Sequence, residues 1–253
     1  MNTSPIAHLY FSLDPSIYAA TFEQAIIILD SRTDTYLSLI DDAARFFCFI
    51  LEHSFIQHDN ATYHPIATEY TDDQHNYWIS YFTEKKFIVP GTHVTYLVSP
   101  LQPGGLIGYR WDSKRSWKPF SESSFLDVCK AYYMLAKVHR IIKRKGIAGI
   151  IALIKNSTIN KNPHIPSPQE LQKLSASVDA ASLLYPKKTF CLAWATTYVA
   201  LALRKNWKIS LAIGVQTNPF YAHAWAQTSS GYVINDDRLV AHALSVIFTE
   251  PYH

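Results

Sequence analysis

Cysteine is scarce in this chain: Cys48, Cys129 and Cys191 are the three present in 253 residues, with neither disulfide-like nor metal-like spacing. That excludes a disulfide-stapled secreted domain and a cysteine-rich zinc module, and leaves reduced thiols in a cytoplasmic protein as the expectation. Cys48 and Cys129 fall in helical apolar patterns and read as core. Long apolar runs are also missing. None reaches the ~18 residues of a membrane span, and Met1-Asn2-Thr3-Ser4-Pro5 lacks the basic and apolar regions of a signal peptide. Stable membrane insertion is not expected. His8, His53, His58, His64, His75 and His253 show no ligand spacing, so neither a metal nor a cofactor is expected.

Basic charge is short at one end only. Residues 1–90 hold four Lys/Arg against twelve Asp/Glu, a net of −8, whereas the remainder holds nineteen against eight, a net of +11. Two units with different partners follow from such asymmetry. With 48% hydrophobic and 17% charged residues, the chain is able to fill one large core or two modest ones.

The organisation reads as residues 1–90, a linker over 91–124 and a second unit over 125–253. In the first unit, 7–12 is a candidate strand, and 25–29 and 35–39 form a hairpin across an aspartate-rich turn. Asp41 is placed to cap a helix through about His53, with Ala44, Phe47, Cys48 and Leu51 on one face. Thr71-Asp72-Asp73-Gln74 has the form of a capping box for a helix carrying Tyr77, Trp78, Tyr81 and Phe82, closed by Lys85 and Lys86 and followed by a return strand from Phe87. The linker is rich in Pro, Gly and Ser. Beyond it come a helix from Phe125 to about Lys145, a shorter one from Ile147 to Lys155, and a third begun by Ser167-Pro168-Gln169-Glu170, which combines an N-cap, a first-turn proline and a capping-box Glu. The class is α+β.

The chemistry concentrates between Phe190 and Asp237. Phe190 to Leu201 has no Gly or Pro and is rich in Ala and Leu, with a candidate N-cap at Thr189, so Cys191 lies in the first turn of a helix. Unpaired amides and the positive end of the macrodipole favour its thiolate, as do Lys187 and Lys188 upstream. Residues 209–215 and 222–227 alternate as strands that put His223, Trp225 and Gln227 on one face, and 232–237 is a third strand. The turn at Ser229-Ser230-Gly231 has two readings. As a two-residue loop it sets His223 opposite Asp236; with Gly231 as the left-handed residue of a bulged loop the register moves by one and favours Asp237. A thiol, an imidazole and a carboxylate in this order suit acyl chemistry, with the Cys191 N–H the natural oxyanion donor and Trp225 a shield.

Cys191 at a helix start, Gly214-Val215, Pro219 through Trp225 and Val233-Ile234-Asn235-Asp236 resemble the transglutaminase-like leader peptidases of lasso-peptide biosynthesis, the B proteins. The resemblance implies a transglutaminase/papain-like domain with Cys191 as nucleophile, His223 as base and Asp236 as the acid that orients it. Two positions depart: Ala193 stands where proline is frequent, and Gln216 where arginine is. In residues 1–90 the strands, the aspartate-rich turn and Tyr-Leu-Ser-Leu resemble the PqqD-like peptide recognition element, a small winged-helix-like unit. This implies a leader peptide added as a strand beside Tyr36, Leu37, Ser38 and Leu39, facing Tyr77 and Tyr81. A winged-helix pattern is also compatible with DNA, but a segment at −8 is unsuited to phosphate, so no nucleic acid is expected. The implied function is removal of the leader from a ribosomally made precursor peptide, alongside a macrolactam synthetase partner. An acyl transferase or cross-linker with the same triad, and a non-catalytic peptide-binding adaptor, are the alternatives.

Overall fold

The hairpin expected near the N-terminus forms, and it is one part of a larger strand set. The computed structural model describes residues 8–57, 63–65, 72–97, 123–157, 163–234, 236 and 240–252. Thr71 of the capping box, His58, His253, Asp237 and most of the linker lie outside the described residues. By its contacts the chain divides into residues 1–30 with 35–99, and residues 31–34 with 100–253.

In the first unit, β1 (His8–Leu13), β2 (Ile17–Thr21), β3 (Ala25–Asp30) and β4 (Thr35–Ile40) come in succession. Strands β2, β3 and β4 form an antiparallel sheet in that order, with Leu37 opposite Ile28 and Leu39 opposite Ile26, so β4 is an edge among the described strands. The turn between β3 and β4 uses Asp34 at φ 60, a conformation that aspartate tolerates better than most residues. Strand β2 has no counterpart in the sequence reading. Its entry is an aspartate turn, in which Asp14 accepts the Ser16 N–H at 2.9 Å and its carbonyl accepts the Ile17 N–H at 2.8 Å.

Helix α1 (Asp41–Glu52) follows β4 without a break. Its cap is Ile40, extended at φ −128 and ψ 164, and no side chain caps it. The expected Asp41 cap is therefore displaced by one: the chain turns from the extended Ile40 through Asp41 at φ 50, and Asp41 and Asp42 sit in the first turn, where their charge favours the positive end of the helix. Strands β5 (Phe55–Gln57) and β6 (Tyr63–Pro65), helix α2 (Asp72–Glu84) and strand β7 (Ile88–Gly91) complete the unit. A second sheet has the order β6-β5-β1-β7. Phe47, Ile50, Leu51, Phe55 and Phe82, all without solvent exposure, form the centre of its core with Phe11 and Ile28.

In the second unit, α3 (Phe125–Ser157) is broken at Gly146, where φ 54 and ψ −146 are open to glycine. Helix α4 (Pro168–Leu184) starts on the full capping box, Glu170 N–H to Ser167 and Ser167 N–H to the Glu170 carboxylate at 2.8 Å. Helix α5 (Cys191–Arg204) packs on α3 and α4 and on β8 (Ile209–Gln216) and β9 (Tyr221–Thr228). β10 (Val233–Ile234), α6 (Val240–Ala243) and β11 (Ser245–Glu250) close the chain. The sheet order is β10-β9-β8-β11, with neighbours antiparallel, so β9 is interior. Every residue of β8 is buried. Cys129, read as core, is exposed: it lies on the outer face of α3 beside Phe125 and Tyr132, at the mouth of an apolar groove. Cys48 is half-buried against the core of the first unit.

Candidate active site

Cys191 is the first residue of α5, as its neighbours require. The cap is Phe190, at φ −92 and ψ 167, with no side-chain hydrogen bond. Thr189, the expected cap, is one residue too early, and its Oγ1 is buried with no hydrogen bond among the described residues. The first-turn amides are thus left to other acceptors. The Leu192 N–H and the Ala224 N–H, from β9, both act on the sulfur. Neither contribution was visible in the sequence, because both are backbone groups.

His223 is buried, 1% exposed, in the interior strand β9. Its Nε2 meets a carboxylate oxygen of Asp236 at 2.6 Å. With Nε2 held there, Nδ1 is the ring nitrogen left to act on the Cys191 thiol. Burial alone pushes the thiol up; the hydrogen bond and charge of His223, with the Ala224 and Leu192 amides, overcome this and hold it below its ordinary value. Burial likewise works against the imidazolium, but Asp236 and Cys191 push His223 up to about 9. Both shifts run toward the charged forms, thiolate and imidazolium. Lys187 and Lys188, expected to assist, are exposed and act elsewhere, Lys187 on His139 and Lys188 over the Phe190 ring at 5.4 Å.

Asp236 reaches His223 by a route the two-residue turn does not provide. Val233 pairs with Gln227 and Ile234 with Ala226. Gly231 has φ 78, its N–H donates to the Thr228 carbonyl at 2.9 Å, and Thr228 N–H donates to Tyr232 at 3.0 Å. This is the bulged loop. Continued, its register would set Asp237 opposite His223 and send Asp236 to the far face. The ladder instead stops at Ile234, well short of the expected strand end at Asp237, and Asp236 stands in a bend beyond it. Freed from strand alternation, its carboxylate turns back to the imidazole. Sequence pattern cannot show where a ladder stops, so the register argument and the observed contact diverge.

Around the imidazole, the Tyr221 and Trp225 rings lie nearly parallel to it, with centroids at 6.0 and 6.1 Å. Trp225 is 1% exposed, and its Nε1 donates to Gln227 Oε1 at 2.7 Å, which leaves it as a cover rather than an oxyanion donor. Gln216 is buried, and its Nε2 donates to the Pro219 carbonyl at 3.0 Å across the β8–β9 turn. One turn into α5, Trp194 Nε1 donates to the buried Asp179 of α4 at 2.8 Å, which ties the nucleophile's helix to its neighbour.

The residues named for peptide capture belong to the first unit. Leu37 is 40% exposed and Ser38 is exposed, whereas Leu39 is buried in the core, so its side chain is not offered outward and only its main chain remains on the edge. Tyr36 is half-buried. On α2, Tyr77 is 61% exposed and its ring lies parallel to that of Tyr81, itself half-buried, at 6.4 Å. Among the described residues no His/Cys/Asp/Glu group is arranged to hold a metal, and no helix is long and apolar enough to cross a membrane.

The chain is 31% identical over 121 residues to the microcin J25-processing protein McjB of Escherichia coli, a match covering 47% of this chain and 57% of that protein. The chain thus spans little more than half the length of the curated relative it matches. No solved structure matches. Residues 134–249, which contain Cys191, His223 and Asp236, match the model of the Transglutaminase-like superfamily.

Proposed function

We propose that the chain is a cysteine peptidase that removes the leader from a lasso-peptide precursor in the cytoplasm. The observation that carries this reading is the Cys191-His223-Asp236 set at the uncapped start of α5, with His223 buried between the other two. Likeness to a processing protein supports the substrate class.

The chemistry follows from the geometry. Thiolate attacks the scissile carbonyl, and the oxyanion forms near the Cys191 N–H at the helix start. The C–N bond breaks as His223 gives its proton to the departing amine of the core peptide. The leader is left as a thioester on Cys191. Water then attacks with His223 as base, releases the leader acid and restores the thiol. Asp236 holds the imidazole ring and balances its charge throughout.

Capture belongs to the first unit in this reading. The leader adds to the open edge of β4 along Tyr36, Leu37, Ser38 and Leu39, with Tyr77 and Tyr81 as apolar contacts. The released amine passes to a macrolactam synthetase. Mass spectrometry of the full chain with a precursor peptide encoded beside it tests the reading: leader and core as two fragments support it, whereas an amide-linked product means an acyl transferase and an intact bound peptide means an adaptor.

A further inference from the structure

Strand β8 has a glycine opposite the candidate base. Gly214 pairs directly with His223, and every residue around it on β8 is buried. A Cβ at Gly214 would lie 2.7 Å from Trp225 Cη2, 2.9 Å from Trp225 Cζ3 and 2.8 Å from Leu244 Cβ, closer than real carbon contacts allow. The missing side chain is therefore the space into which the outer ring of Trp225 and the Cβ of Leu244 fit. No positive φ requires glycine here. The need is for room.

The rest of the row explains what that room serves. Tyr221, His223 and Trp225 project from one face of β9 with their rings nearly parallel, interplanar angles being 15° and 19°. Trp225 is held from beyond by Gln227 at 2.7 Å. An imidazole flanked in this way keeps its plane, and its two nitrogens stay aimed at Asp236 and Cys191. We propose that Gly214, Trp225 and Gln227 are positioning residues that fix the His223 ring plane, with Gly214 acting by the absence of a side chain. This deepens the peptidase reading and rests on the same site. The ionisable groups acting on His223 are Asp236 beyond β10 and Cys191 on α5, and on Cys191 the acting ionisable group is His223.

The test needs no peptide substrate, so its failure is distinct from failure to find a precursor. Iodoacetamide labelling of Cys191 in the full chain is followed by mass spectrometry from pH 5 to 10. In the wild type, labelling persists below the pH range of an ordinary thiol, because Cys191 is lowered. In Gly214→Ala, which displaces the indole beside the imidazole, labelling near pH 6 falls about tenfold or more and approaches the wild-type rate near pH 10, as for a thiol near its ordinary value. Trp225→Phe alone deletes the indole and its bond to Gln227, and lowers labelling near pH 6 in the same way. A folded Gly214→Ala chain or a folded Trp225→Phe chain with the wild-type profile overturns the proposal. Should Gly214→Ala not fold, Gln227→Leu takes its place: loss of the indole anchor shifts the profile in the same direction, and an unchanged profile overturns the proposal.

Discussion

Strands β4 and β9 make opposite contributions. The first is an edge with Leu37 and Ser38 exposed, and it presents backbone groups spread over several residues. The second is bonded on both sides and presents one side chain, His223, at 1% exposure. An edge collects affinity from many weak and replaceable contacts, so single substitutions and salt change it little. An interior strand fixes one ring in a low-dielectric setting where each partner counts heavily. Damage to β9 should therefore abolish turnover without touching capture, and damage to β4 should weaken capture without touching the chemistry.

The largest expected effect is that of Cys191→Ala, which should bring precursor cleavage below detection while leader affinity, read by fluorescence anisotropy, stays within a few-fold. Next comes Asp236→Asn, expected to lower kcat by about 10²- to 10⁴-fold through loss of ring orientation and charge balance. Asp237→Asn should have a far smaller effect, and the opposite ranking would mean that Asp237 meets the imidazole.

The pH profile of kcat/KM follows from the paired shifts. His223 is raised to about 9, so its proton is present at neutral pH and activity falls as pH rises through that value. Cys191 is lowered, so on the acid side activity falls only once pH passes below its depressed value. A plateau between these limbs is expected, and an optimum with its acid limb near the ordinary thiol value would show that no such pair exists.

On β4 the expected effects are smaller and alternate along the strand. Neighbouring N–H groups point to opposite sides, so of Leu37→Pro and Ser38→Pro one removes a donor to the leader and the other a donor to β3. One variant should lose leader affinity with its melting temperature kept, and the other should lose stability; equal affinity loss from Leu37→Ala and from either proline would count against strand addition. Salt should weaken leader binding only modestly, unlike phosphate binding. The smallest effect is that of Cys129→Ala, within about 0.5 kcal/mol by thermal melting, because the side chain is exposed.

Sequence pattern carried the placement of Cys191 and His223 on their elements further than it carried the fold. Cys191 at a helix start and His223 on an alternating strand are local patterns, and both are where periodicity put them. The β3–β4 hairpin and the α4 capping box were legible for the same reason. Strands β5 and β6 were not, because three residues each are too few to show a period. Helix caps failed at Asp41 and Thr189, where the extended chain runs into the helix through an apolar residue and the polar neighbour is one place off. The Asp236 contact depends on β10 ending after Ile234, a tertiary event without a local signal. Gly214 was readable only as part of a motif; its purpose appears once Trp225 is seen against it.

The most direct test is to look for the thioester itself. Full-length chain mixed with precursor, quenched in acid within seconds and digested, should yield the Cys191 peptide heavier by the mass of the leader less one water, and Asp236→Asn should form less of it. Cleavage that proceeds with the adduct on another residue, or that persists in Cys191→Ala, would contradict the assignment of Cys191 as nucleophile.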